Sequence, residues 1–173
     1  MNMTHYMELL ASNQPWNLII YMAIPVILAE TIAITELYLL LTKKFDGKVR
    51  KVNKISSIAV GIYFLFIFIN LFFTAVIPLT LGGGWRGFAD VLAVGFYLAG
   101  IIPLLGLTLL EMNIIKRNKS TEQKLKTHVF FVALFLVTAH IAMIFGMLNP
   151  EILGFKEKSS TDPMKGMHVE MGE

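Results

Sequence analysis

Residues 55–80, ISSIAVGIYFLFIFINLFFTAVIPLT, decide the fold class. The stretch contains no Asp, Glu, Lys or Arg, and it exceeds the ~20 residues that a helix needs to cross hydrocarbon. It is apolar around its whole circumference, unlike a half-buried helix of a soluble domain, and it is too long for a strand. The stretch therefore predicts a transmembrane helix.

Three further stretches share these properties, so that the predicted spans are 16–42, 55–80, 88–113 and 128–149. Of the 173 residues, 55% are hydrophobic and only 16% are charged, whereas a soluble domain carries about 25% charged residues. Only an N-terminal tail, 1–15, and a solvated C-terminal tail, 151–173, remain outside the bundle. Because short loops make consecutive helices antiparallel neighbours, we predict an all-α, integral membrane four-helix up-down bundle.

Lysine and arginine indicate the orientation of this bundle. The loops after the first and third spans are rich in both residues, whereas the middle loop, LGGGWRGFAD, contains only Arg86. The positive-inside rule then places the two basic loops in the cytoplasm and both termini outside, in a bacterial inner membrane. The net charge of +3 is a topology signal, and without a soluble basic domain no nucleic-acid partner is predicted.

Several polar side chains fall inside the predicted spans, where ionisable groups are costly and are functional candidates by default. Counted from the outer ends, Glu30, Asn70 and His140 lie at comparable depth. Together they could hold a metal, bind a quinone headgroup or pass a proton. The alternative is a hydrogen bond that only fixes the register of the helices. Glu36 lies further in and is assigned either to a second site or to the cytoplasmic edge.

Thioether and imidazole groups indicate a soft metal. His140, Met143 and Met147 share one face of the fourth span, and such ligands suit Cu(I). The tails add further candidate ligands, where a solvated segment has no core for Met to fill: these are Met3, His5, Met7, Met164, Met167, His168 and Met171. The chain has no Cys, which excludes thiolate ligands and disulfides. These features predict that the outer tails capture Cu(I) for storage, delivery or transport.

The sequence MIFGM at 143–147 is similar to the MxxxM motif of the high-affinity copper-uptake family, which also uses Met-rich outer tails. The resemblance implies a copper transporter with Met143 and Met147 as ligands. That family has three spans and a GxxxG helix, whereas this chain has four predicted spans, none with GxxxG. In length and layout the chain resembles small bacterial four-span membrane proteins loosely described as permeases.

Two other functions stay open. His128 and His140 are about 18 Å apart along one helix, which suits two haem b groups in a quinone-linked electron carrier. Met112 and Met22 are then the candidate second ligands, unless a homo-oligomer supplies them. The favoured position of His128 is the cytoplasmic interface. The third interpretation is a non-catalytic subunit of a larger membrane complex, and hydrolase and phosphate-loop motifs are absent from the sequence.

Overall fold

The structure is a computed structural model that describes residues 3–115 and 120–153. The helices are α1 (His5–Ala11), α2 (Trp16–Thr42), α3 (Lys48–Leu81), α4 (Phe88–Glu111) and α5 (Thr121–Met147), followed by a 3-10 turn, Pro150–Leu153. The four helices α2 to α5 are each long and apolar enough to cross a membrane. The predicted all-helical fold with four spans is confirmed.

Helices α2 to α5 form a closed bundle, because each packs against the next and α2 also packs against α5. The core between them contains large apolar side chains such as Phe64, Leu104 and Phe135. The outer surface is apolar as well: Leu41 is 74% exposed and Phe66 is 68% exposed. A soluble protein does not tolerate such a continuous belt, whereas lipid chains solvate it well.

Two of the helices extend beyond the apolar segments from which the spans were predicted. Helix α3 begins at Lys48, where the prediction began at 55, and α5 begins at Thr121, where it began at 128. Ser120 caps α5 by accepting a hydrogen bond from the backbone N–H of Gln123. Hydropathy detects the hydrocarbon boundary, but backbone hydrogen bonds and a cap carry a helix past it.

Each of the first two spans contains one turn of π-helix, at Ile19–Ala23 in α2 and at Phe72–Val76 in α3. Pro25 and Pro78 follow these turns directly. A proline lacks an N–H group and its ring clashes with the carbonyl one turn earlier, so a wider turn relieves the clash. The prolines therefore alter the spans locally without ending them.

Tyrosine hydroxyls from neighbouring helices satisfy the carbonyls near Pro25. The π register sets the carbonyl of Ile20 opposite Pro25, which has no N–H to donate. The hydroxyl of Tyr63 donates to this carbonyl at 2.9 Å, and the hydroxyl of Tyr97 donates to the carbonyl of Tyr21 at 2.5 Å. Neighbouring helices thus supply the partners that a broken helix needs in lipid.

The closest approach of α3 and α4 depends on Gly61. A Cβ atom at this position would lie 1.9 Å from Thr108 Oγ1 and 2.7 Å from the carbonyl oxygen of Leu104. Thr108 Oγ1 also donates a hydrogen bond to the carbonyl of Ser57 across the same contact. A side chain at position 61 would have to push the two helices apart.

We expect Gly61→Ala to lower the stability of the bundle by about 1–3 kcal/mol, the usual cost of overpacking. The measurement is reversible denaturation in detergent, followed by circular dichroism. Gly95→Ala is the matched control, because a Cβ at Gly95 has no neighbour within 4 Å. Equal stability of the two variants would contradict this close approach.

Candidate functional site

The buried faces of α2 and α5 each carry one ionisable residue. The buried residues of α2 are Pro25, Ala29, Ile32, Glu36 and Leu39, and those of α5 include Leu125, His128, Val132 and Phe135. Their spacing alternates between three and four residues, as in helices that pack side by side in a bundle. Glu36 and His128 therefore occupy core positions, about 9–11 Å along the helix axes from the helix ends at Thr42 and Thr121.

The imidazole of His128 lies between two carboxylates. Its Nδ1 is 2.9 Å from Glu36 Oε1, and its Nε2 is 3.1 Å from Glu111 Oε1. The second contact is an ion-pair distance without the alignment of a hydrogen bond, and Glu36 Oε2 also lacks a partner. All three side chains are at most 3% exposed, so water does not screen their charges.

The positive charge of the Arg50 guanidinium compensates the negative charge of the Glu111 carboxylate. Its Nη1 and Nη2 lie 2.7 Å and 2.9 Å from the two oxygens of Glu111, and Nη1 also donates to Asn53 Oδ1 at 2.9 Å. Asn53 in turn donates to Thr35 Oγ1 at 2.9 Å. We call Glu36, Arg50, Glu111 and His128 the four-helix cluster, because α2, α3, α4 and α5 each contribute one of them.

The hydrogen-bonding capacity of imidazole indicates which protonation state suits the four-helix cluster. A neutral imidazole has one N–H donor and one lone pair, whereas an ionised carboxylate only accepts. With both acids ionised, a neutral His128 would direct its lone pair at a carboxylate and leave a net charge of −1 in the core. One proton shared by Glu36, His128 and Glu111 makes the four groups neutral together with Arg50. Such neutrality matters because an unpaired buried charge is very costly.

The three residues predicted to converge, Glu30, Asn70 and His140, are all exposed on the outside of the bundle. Asn70 accepts a hydrogen bond from Tyr21, and His140 Nδ1 lies 2.6 Å from a carbonyl of its own helix. No hydrogen bond or ion pair joins the three among residues 3–115 and 120–153. Equal depth did not bring them together, because depth does not specify which face of a helix a residue occupies.

The predicted soft-metal ligands are spread over different environments. Met147 is 65% exposed and Met3 is 44% exposed, whereas Met7 packs against the core. His5 is bound to Asp90, and Met143 lines a small cavity. Four of the predicted ligands lie outside the described residues: Met164, Met167, His168 and Met171. Within the described ranges, no group of His, Asp and Glu is arranged to hold a metal ion.

The haem alternative meets a specific obstacle at His128. The structure buries this residue, although the sequence favoured the interface, and both of its ring nitrogens face carboxylates. Met112 is 54% exposed just after α4, and ligation of a haem iron by His128 would require one ring nitrogen to leave its carboxylate. Met22 lines the same small cavity as Met143, while His140 is on the outer surface.

No pattern in the sequence pointed to a site role for Arg50, Asn53 or Glu111. Arg50 was one of several basic residues in a predicted loop, and Glu111 ended a span without an evident partner. A signal was available, because Glu36, Glu111 and His128 all lie near the same end of their spans. It becomes visible when residues are counted from the span ends beside the two basic loops and not from the opposite ends.

The chain belongs to a family of unknown function, DUF6803, which matches residues 1–162. No curated protein and no solved structure matches the chain. Membership of this family places almost the whole chain in one conserved unit without stating an activity. The chemistry of the four-helix cluster is therefore the basis for assigning a function.

Arg50→Met should lower bundle stability by about 3–5 kcal/mol, because it leaves the Glu111 carboxylate buried without its cation. The double variant Arg50→Met/Glu111→Leu removes both charges, and we expect it to regain most of the loss. Denaturation in detergent of Arg50→Met, Glu111→Leu and the double variant measures the interaction free energy between the two side chains. Additive losses would show that the two side chains do not interact.

Proposed function

We propose that this protein is a proton-coupled membrane protein in which the four-helix cluster is the proton-binding site. The observation that supports this function is the position of His128, held by one carboxylate on each ring nitrogen. This arrangement is neutral only when it holds one proton, and it lies at a junction of all four spans. Binding and release of that proton are then linked to the packing of the helices.

The linkage follows from the cost of a buried charge. When the cluster loses its proton, a net charge of −1 remains between the helices. One ring nitrogen of His128 then directs its lone pair at a carboxylate, and these two groups can no longer form a hydrogen bond. Separation of the cytosolic helix ends relieves this cost by admitting water. The protonated state therefore favours a closed cytosolic end and the deprotonated state an open one, which is the two-state element that coupling requires.

We propose a bacterial cytoplasmic membrane as the location, with both termini outside and the four-helix cluster facing the cytosol. Support comes from the basic loops that flank the cluster, 43–54 and 114–127. The guanidinium of Arg50 is on the cytosolic side of the cluster in this orientation, and its side chain is 18% exposed. It is the group that water meets first.

Capture of Cu(I) and ligation of haem b stay predictions. The first now depends mainly on the C-terminal tail, which is outside the described residues. The second would need the exposed His140, or a His128 with one ring nitrogen freed from its carboxylate. A role as an assembly subunit is the remaining alternative, in which the cluster would serve only to fix the helix register.

The orientation is directly testable because the chain contains no Cys. Single cysteines introduced at Lys44 and at Gly84 should react differently with a membrane-impermeant maleimide in intact cells. We expect labelling at position 84 without permeabilisation and at position 44 only after it. The reverse pattern would place the cluster on the outer side.

Proton coupling predicts that alkaline pH opens the cytosolic end. Ser56, which is buried and outside the hydrogen-bond network, is replaced by Cys as a reporter in inside-out vesicles. Its labelling rate, normalised to that of the exposed Lys44→Cys at each pH, should rise about tenfold or more on deprotonation of the cluster, a shift of ~1.4 kcal/mol. The normalisation corrects for the pH dependence of an exposed thiol, and the same reporter in the Glu36→Gln background measures any dependence that belongs to the buried thiol itself.

Glu36→Gln should abolish this pH dependence, because the charges of Arg50 and Glu111 then cancel while His128 is neutral. Glu30→Gln is the matched control, since it removes an exposed carboxylate from the same helix. A normalised rate that is independent of pH in the wild-type background would refute the coupling. It would leave the cluster as a static clamp between the helices.

A further inference from the structure

The N-terminal helix α1 is fastened to the outer end of the bundle by polar contacts. Asp90, at the start of α4, is fully buried. It accepts a hydrogen bond from the backbone N–H of His5 at 2.7 Å, and its other oxygen lies 2.5 Å from His5 Nδ1. Arg86 contacts Glu8 at 2.7 Å and donates to the carbonyl of Met3 at 2.7 Å. Part of the predicted N-terminal tail is therefore a docked helix.

An aromatic side chain seats α1 in the bundle. Tyr6 is 4% exposed, and its ring centroid lies 5.2 Å from that of Tyr97. Gly146 of α5 makes room for it, because a Cβ there would be 2.6 Å from a ring carbon of Tyr6. Burial raises the pKa of the Tyr6 phenol to about 12, so this hydroxyl is neutral at physiological pH.

A cavity of about 430 Å³ lies under α1, between the outer part of α3 and α4. Its walls are mostly apolar and include Leu71, Ala75 and Val94, while His5, Tyr6 and Tyr97 line its polar, aromatic part. Thr74 and Pro78, which also line the cavity, are exposed on the lipid-facing side of α3. The cavity is therefore within reach of molecules dissolved in the bilayer, and its volume falls in the range of ligand pockets.

The charges around the cavity specify an uncharged headgroup. His5 is paired with Asp90, and Arg86 is paired with Glu8, so an added phosphate or ammonium group would find no free countercharge. Two polar atoms at the cavity are unused, because neither His5 Nε2 nor the Tyr6 hydroxyl makes a hydrogen bond to any residue of the described chain. The Asp90 carboxylate fixes the orientation of the ring, so that Nε2 donates to a ligand carbonyl oxygen when the imidazole is protonated and accepts from a ligand hydroxyl when it is neutral.

We propose that this cavity binds a quinone or quinol with a hydrocarbon tail, its ring oxygen at His5 and its tail between α1 and α3. A quinone combines the properties that the cavity selects: it is uncharged, planar, oxygen-bearing and soluble in the bilayer. The rings of Tyr6 and Tyr97 offer aromatic surface to its headgroup. A phospholipid fits less well, because its charged headgroup would break one of the two existing ion pairs. This site is separate from the four-helix cluster and does not depend on its function.

The test is calorimetric titration of the full-length protein in detergent with decyl-ubiquinone as the probe. We expect saturable binding of one molecule per chain. Phenyldecane, which has a ring and a tail but no oxygens, should bind about fivefold to tenfold more weakly, as for the loss of a hydrogen bond. His5→Leu should cause a similar loss for decyl-ubiquinone and none for phenyldecane.

His5→Leu could also weaken binding by detaching α1 from the bundle, so a second variant changes the cavity from α3 instead. Ala75→Phe fills the cavity from α3 and should weaken the binding of both compounds at least tenfold. Ala59→Phe, at an exposed position of the same helix outside the cavity, is its matched control and should bind as the wild type does. Melting curves by circular dichroism confirm that all variants are folded.

Three results would overturn the proposal. The first is binding that does not saturate, which indicates simple partition into the micelle. The second is equal affinity for decyl-ubiquinone in Ala75→Phe and wild type. The third is a co-purifying phospholipid, detected by native mass spectrometry, that decyl-ubiquinone does not displace and that Ala75→Phe removes.

Discussion

Charge neutrality in a medium of low dielectric constant is the constraint on which the inner half of this bundle depends. Four ionisable side chains, one from each spanning helix, meet here, and three of them, Glu36, Glu111 and His128, are at most 3% exposed. None of them is tolerable there alone, because an isolated buried ion loses several kcal/mol of hydration. Their positions are therefore mutually dependent: removing or moving one helix exposes the charges on the other three. Few apolar contacts impose such a condition on four helices at once.

The bundle is fastened by polar contacts at both ends and by apolar packing between them. At the inner end the four-helix cluster joins the spans, and at the outer end Asp90 holds α1 through His5. Between these ends the core consists of aromatic and aliphatic side chains such as Phe64 and Phe135, whose rings meet edge to face with centroids 6.0 Å apart. Because apolar packing in lipid lacks a hydrophobic driving force, directional contacts at the ends contribute a large share of the specificity.

The sequence predicted the spans well because hydropathy over ~20 residues is a strong local signal. It did not predict which residues share a site, since this depends on the azimuth of each side chain. Glu30 and Glu36 illustrate the difference: both lie in α2, but only Glu36 continues the buried spacing of Ala29 and Ile32. Spacing in the sequence could not separate the two, because apolar residues also lie three and four positions from Glu30, at Ile27 and Ile34 for example.

The docking of α1 was beyond sequence reasoning for another reason. Its seven residues are too few to form a stable isolated helix, so its structure comes from tertiary contacts. The decisive partners are remote in sequence: Asp90 for His5, and the carbonyl of Gly146 for the hydroxyl of Thr4 at 2.6 Å. A single chain without aligned relatives carries no signal for such pairs. The Met and His residues of this segment were therefore interpreted as free ligands, although His5 has a structural partner.

Two members of the four-helix cluster, Arg50 and Glu111, lie at helix ends where their charges interact unfavourably with the helix dipole. Arg50 is a cation in the first turn of α3, and Glu111 is an anion at the last residue of α4. Each sits at the wrong end of a helix dipole, an arrangement that costs roughly 0.3–1 kcal/mol per charge. Buried ion pairs generally add little net stability compared with apolar side chains of similar volume. Conflicts between local preference and tertiary structure tend to persist where function requires them. A bundle selected only for stability would place apolar side chains at these four positions, so their presence here agrees with the proton-binding role proposed above.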